Sequence, residues 1–181
     1  FHVQAGFPHA EVHALRQAGD LARGATAYVT LEPCSHHGRT PPCAEGLIAA
    51  GVVRVVIAMG DPNPLVAGKG IALLQAAGIS VQCGFLADEA RALNRGFLSR
   101  IERRRPFVSL KIAASLDGKT ALSDGRSQWI TGEEARADVQ RQRAQSCAVL
   151  TGIGTVLHDN PCLNVRQFPT IRQPLRIILD S

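Results

Sequence analysis

The 181-residue sequence predicts an α/β fold in two domains, the first a three-layer sandwich. Three observations carry this reading. Short runs rich in Val, Ile and Ala alternate with stretches of helical pattern, separated by Gly- and Pro-containing turns, the order that builds a parallel sheet covered by helices. Residues 52–59 are apolar almost throughout, as a strand buried on both faces must be. At Arg103-Arg104-Arg105-Pro106, charge and a proline interrupt the alternation before it resumes, which sets a boundary between residues 1–104 and residues 105–181.

The elements follow in order. Pro8 opens a helix over residues 9–18 that Gly19 closes, with His9 and Glu11 in its first turn. Residues 27–31 form a strand that stops at Glu32-Pro33, so Pro33 and Cys34 lie just past a strand end. The stretch 35–42, crowded with His, Gly, Arg and Pro, continues neither element, and helix resumes from Cys43 to about residue 50. Beyond the apolar strand come a helix at 70–77, a strand at 80–85 and a helix at 87–100. In the second domain a strand at 107–114 runs into the turn signals Asp117-Gly118 and Asp124-Gly125. Thr131 and Glu134 form a capping box for a helix reaching about Gln145, and residues 148–151 and 175–179 are further strands.

Composition narrows the function classes. At 45% hydrophobic and 4% aromatic residues the chain is neither disordered nor collagen-like. It has no apolar stretch approaching the ~18 residues a membrane span needs. It opens at Phe1 without an initiator Met, a basic n-region or an apolar h-region, so the expectation is a fragment cut at both ends with no signal peptide in view. The net charge of +5 comes mostly from scattered arginines. These suit a solvated surface or a phosphate-bearing ligand better than nucleic acid, because no aromatic residues interleave with them. Five cysteines, an odd number set among apolar strands and a Pro-rich loop, argue for a reducing cytoplasm and at least two metal-bound thiolates.

A zinc ion that activates water needs three protein ligands, an open position and a nearby base that is not itself a ligand. His9-Ala10-Glu11 at a helix start, followed by Pro33-Cys34 and Pro42-Cys43, supplies these parts in the order of the zinc nucleobase deaminases. His9, Cys34 and Cys43 are the expected metal ligands and Glu11 the expected proton carrier. Cys43 opens a helix, where the local dipole favours a thiolate. His13, four residues after His9, is an alternative ligand that would leave the cysteines unexplained, and His37 is expected to be an exposed loop residue.

The usual deaminase signature has two residues between its cysteines, whereas Ser-His-His-Gly-Arg-Thr-Pro-Pro separates them here. The stretch from Glu32 to Cys43 resembles that of the bifunctional riboflavin-biosynthesis pyrimidine deaminase/reductases. The resemblance continues through Asp61-Pro62-Asn63-Pro64 and Gly68-Lys69-Gly70 into the second domain. There the matching stretches are Leu110 to Ala121, Ser127-Gln128-Trp129-Ile130-Thr131 and Thr151 to Pro161.

The resemblance implies a cytidine-deaminase-like three-layer α/β/α sandwich followed by the first part of a dihydrofolate-reductase-like α/β domain. It implies zinc-dependent deamination of 2,5-diamino-6-(5-phosphoribosylamino)pyrimidin-4-one, then NADPH-dependent reduction of the ribosyl chain to ribityl. It also implies that His2, His36 and Arg39 meet the deaminase substrate, Arg39 at the phosphate. NADPH contacts fall on Ala113, Trp129, Thr155, Asp159 and Ser181, and reductase-substrate contacts on Lys111, Ser127, Arg143, Leu163 and Arg166. Because the family's reductase extends beyond Ser181, the chain by itself is expected not to reduce. A small-molecule pyrimidine ribosyl phosphate, no nucleic acid, no membrane and a cytoplasmic location complete the expectation, which is compatible with a homo-oligomer.

Two other functions remain open on the residues alone. A deaminase of free cytosine, guanine or an RNA base would share the zinc chemistry but lack the inserted loop. A zinc-stabilised binding module would need four closed ligands and no adjacent carboxylate.

Overall fold

The computed structural model describes residues 6–38 and 41–180. The chain folds as two compact units, Phe1–Ser109 and Leu110–Ser181. His2, Arg39 and Ser181 lie outside the described residues.

In the first unit, helix α1 (Ala10–Ala18) leads through a short 3-10 turn to strand β1 (Thr26–Val29). Then come α2 (Cys43–Ala49), β2 (Arg54–Ile57), α3 (Lys69–Ala76) and β3 (Ser80–Cys83). The strands form a parallel sheet in the order β1-β2-β3, with Tyr28, Val56 and Gln82 in one row and Ala27, Val55 and Val81 in the next. Two right-handed crossovers stepping in the same direction put α2 and α3 on one face of this sheet. Residues alternate along each strand, so Val55 and Ile57 turn to those helices and are fully buried. They meet Ala44 and Leu47 of α2 and Leu74 of α3, with Leu15 of α1 at the margin. Tyr28, one residue out of phase, points away and is 72% exposed.

Two elements differ from expectation, one in this unit and one at the boundary with the next. The predicted helix at 87–100 is two helices, α4 (Ala87–Leu93) and α5 (Arg95–Arg103). Asn94 breaks them: its side-chain amide donates to the Ala90 carbonyl at 2.9 Å, competing with the backbone for that acceptor. The helices pack through Ala90 and Leu98 on Met59, just beyond β2. Residues 107–114 form no strand; Phe107, Val108, Leu110 and Ile112 are exposed, and β-prone residues without a partner ladder do not make a sheet.

The second unit contains α6 (Glu133–Gln145), β4 (Ala148–Gly152), α7 (Ile153–Asp159) and β5 (Leu175–Leu179), with β4 and β5 paired in parallel. The two predicted turns are present, with Gly118 at φ 79° and Gly125 at φ 86°. The expected capping box is not. Helix α6 starts at Glu133 with Gly132 as its N-cap and no side-chain cap, while Arg136 reaches back to donate to the Thr131 carbonyl. None of the five cysteines is in a disulfide.

Candidate metal centre and deaminase site

Three sequence-distant segments meet beyond the carboxyl ends of β1 and β2, the edge at which open parallel sheets place their ligands. His9 is the N-cap of α1, in extended conformation, and its side chain does not cap the helix. Cys34 follows β1 across the Glu32-Pro33 turn, and Pro33 is fully buried. Cys43 is the first residue of α2, behind Pro42 at φ −60°. A proline at the N-cap cannot continue a helix backwards, so it sets the point at which Cys43 enters.

The result is a compact donor set. His9 Nδ1 lies 3.2 Å from Cys43 Sγ and 3.6 Å from Cys34 Sγ. The ligand atoms of His9, Cys34 and Cys43 all lie within 4.8 Å of one another, and they are the one such group among the described residues. The Cys43 backbone N–H donates to Cys34 Sγ at 3.3 Å, and the Ala44 N–H donates to the Cys34 carbonyl at 3.1 Å.

The two thiols differ in acidity because they share a proton. Cys34 is held down at about 5, first by the hydrogen bond it receives from the Cys43 thiol, then by the Cys43 N–H and His9, against an opposing push from burial. Cys43 moves up, because it keeps that proton, is desolvated and faces the Glu11 charge. Two cysteine sulfurs and one imidazole nitrogen form a soft-to-borderline donor set that suits zinc, and a divalent cation bound there would displace the thiol protons. Glu11, in the first turn of α1, lies against Cys43 without joining the group of three.

The neighbouring residues are placed as follows. His13 donates its backbone N–H to the His9 carbonyl, is not in the donor set, and its Nε2 is buried without a partner. His37 is exposed and faces Glu45 at 3.8 Å. His36 is exposed and close enough to Asp61 to favour its charged form. Burial pushes the Asp61 carboxyl up, and the Glu32 charge adds to the shift.

Sequence reasoning missed Glu32 as more than the end of a strand. It is 4% exposed, and its side chain accepts four backbone N–H groups from residues 61–71. The only hint was an acid beside Pro33 in an otherwise apolar turn.

In the second unit, Arg143 donates to the Asn164 carbonyl at 3.1 Å, and the Arg166 N–H donates to buried Gln140 at 3.1 Å. Burial, with the nearby Arg166 charge adding to it, lowers the Arg143 pKa, so two of the expected reductase-substrate residues lie near one another. Leu163 between them is buried at φ 54°. Trp129 is exposed under the Arg136 guanidinium, 4.5 Å from ring centroid to Cζ. Thr155 and Asp159 lie exposed on α7, Lys111 is exposed, and Ala113 and Ser127 are half-buried in irregular segments.

Residues 2–59 match the cytidine and deoxycytidylate deaminase zinc-binding region, and residues 106–181 match the RibD C-terminal domain. The riboflavin biosynthesis protein RibD of Escherichia coli (strain K12) is 58% identical over 193 residues, an alignment covering 100% of this chain and 53% of that protein. RibD of Aquifex aeolicus is 53% identical over 99% of this chain and 51% of its own length. The solved Acinetobacter baumannii RibD, form 1, superposes with a TM-score of 0.91 at 58% identity, covering 98% of this chain and 51% of that one. A Thermotoga maritima diaminohydroxyphosphoribosylaminopyrimidine deaminase/5-amino-6-(5-phosphoribosylamino)uracil reductase does so at 0.89 and 45% identity, covering 99% and 52%. The chain spans about half the length of the curated relatives it matches. A deaminase zinc-binding region and a RibD C-terminal domain thus match successive parts of the chain, which is similar along its whole length to the RibD riboflavin biosynthesis proteins.

Proposed function

We propose that residues 1–104 form a zinc-dependent hydrolytic deaminase and that residues 105–181 contribute to an NADPH-dependent reductase. These are the two consecutive early riboflavin steps on a pyrimidine ribosyl phosphate. The observation that carries the deaminase reading is the convergence of His9, Cys34 and Cys43 within 4.8 Å, with a carboxylate beside them that is not one of the three. A closed structural zinc site would take a fourth protein ligand instead.

Zinc, when bound, supplies the Lewis acidity that makes water a nucleophile near neutral pH. Glu11 accepts the proton of the attacking water and returns it to the ring nitrogen as the C–O bond forms. It then carries the second proton to the departing amine, so that C–NH₂ and water become C=O and ammonia. His36 and Arg39, on the loop between the cysteines, hold the substrate, with Arg39 on the phosphate. On the reductase side NADPH supplies a hydride to the ribosyl chain. Arg143 and Arg166 hold the phosphate there, Lys111, Ser127 and Leu163 the rest of that substrate, and Ala113, Trp129, Thr155, Asp159 and Ser181 the cofactor.

No helix among the described residues is long and apolar enough to cross a membrane, and five cysteines outside disulfides favour a reducing, cytoplasmic location. The deciding experiment incubates the zinc-loaded chain with 2,5-diamino-6-(5-phosphoribosylamino)pyrimidin-4-one and follows ammonia. Stoichiometric release is expected. A zinc-loaded, folded chain that releases none refutes the deaminase reading.

A further inference from the structure

Glu32 is buried, ionisable and unused by the chemistry above. Its Oε2 accepts the N–H groups of Asp61 at 3.2 Å and Gly68 at 3.0 Å, and its Oε1 those of Gly70 at 2.9 Å and Ile71 at 3.2 Å. A buried carboxylate costs several kcal/mol unless its lone pairs are answered, and four donors fill its capacity. Gly68 is the N-cap of α3, and Gly70 and Ile71 are in its first turn, so the carboxylate caps a helix 36 or more residues away and sits at its positive end.

The backbone around Glu32 is held on every side. The Glu32 N–H donates to the Met59 carbonyl at 3.0 Å, and the Cys34 carbonyl accepts the Ala44 N–H of α2 at 3.1 Å. Between them, the Pro33 carbonyl sits so close to Gly70 that a Cβ there would overlap it. The side chain of Cys34 is therefore carried by a turn whose position is set from α3 on one side and α2 on the other.

We propose that Glu32 is a positioning residue for the metal centre. By clamping residues 61–71 and the start of α3 to the Pro33-Cys34 turn, it holds Cys34 Sγ at its distance from His9 and Cys43. This rests on the reading that His9, Cys34 and Cys43 bind zinc. Partners that orient metal ligands are worth about 10–100-fold in metal affinity when removed, which sets the size of the expected effect.

The test uses Glu32→Gln, which keeps shape but presents an amide NH₂ to one pair of N–H donors. Zinc transfer from the folded variant to a colorimetric chelator should be about 10–100-fold faster than from wild type. The thiolate-to-metal charge-transfer band of the cobalt-substituted variant should shift. Leu74→Ala, which cores out the same helix without touching the turn, should lower the melting temperature and leave both readouts at wild-type values.

A measurement on the unaltered chain covers the case in which Glu32→Gln does not fold. Coupling is reciprocal, so stripping zinc should speed hydrogen exchange at the amides of Asp61, Gly68, Gly70 and Ile71 but not at Val55. A folded Glu32→Gln with wild-type zinc transfer and cobalt spectrum overturns the inference, as do four amides indifferent to zinc. A wild-type chain that takes up no zinc overturns the metal reading itself.

Discussion

Gly70 and Pro33 touch through their backbones: a Cβ built on Gly70 would overlap the Pro33 carbonyl oxygen, although the two residues belong to different elements. The obstructing atom is main chain, so no rotamer change can make room. Gly70→Ala should therefore destabilise the first unit by about 1–3 kcal/mol. This is opposite to the roughly 1 kcal/mol gain that Gly to Ala brings in an unobstructed helix. Gly96, in α5, meets nothing within 4 Å at the same point, so Gly96→Ala is the control. Thermal unfolding of the two variants checks the sign of each.

Ligand and proton carrier should separate cleanly on substitution. Cys34→Ala and Cys43→Ala each remove one of three donors and should leave the purified chain with little zinc by metal analysis. Glu11→Gln keeps the donor set and should retain about one zinc per chain. It should lose at least 10²–10⁴-fold in ammonia release, the usual worth of a general acid-base group. Near-normal turnover by Glu11→Gln would move the proton carrier elsewhere.

Arg39 lies outside the described residues, so its role is testable only in solution. Arg39→Ala should raise KM for the phosphorylated pyrimidine with little change in kcat, through loss of a charge-assisted contact. The same variant should leave the dephosphorylated analogue nearly unaffected. Equal losses on the two substrates would remove Arg39 from the phosphate.

Asp61 gives a pH-dependence whose sign can be worked out. Burial raises its folded pKa above the ordinary 3.8, so folding favours the protonated form. Its stabilising contribution is complete below that ordinary value and is lost as pH rises through the folded pKa. Asp61→Asn keeps the Oδ1 that accepts the Asn63 N–H at 2.8 Å and sheds the charge. It should melt above wild type at neutral pH, with the difference shrinking as the pH falls toward the acid range. A constant difference across that window would assign the gain to something other than the carboxylate.

Much of this protein is local, and local features were legible in the residues. Pro8, Gly19, Pro33 and Pro42 punctuate the chain where helices and turns begin and end, and they deliver His9, Cys34 and Cys43 to element boundaries. The apolar run around β2 announced a strand with two covered faces, and Val55 and Val56 are both buried. What depended on distant partners was not legible. Residues 107–114 have strand composition but no ladder, and helix α6 starts one residue later than the Thr131 capping box requires, with Gly132 as its N-cap. Asn94 split a helix by a bond that periodicity does not register. Glu32 carries the clearest contrast. In sequence it is an acid that ends a strand, and only the tertiary structure brings four N–H donors from residues 61–71 around it. The physical reason is that a motif is written in neighbouring side chains, whereas a buried charge is tolerated only through donors that the chain supplies from elsewhere.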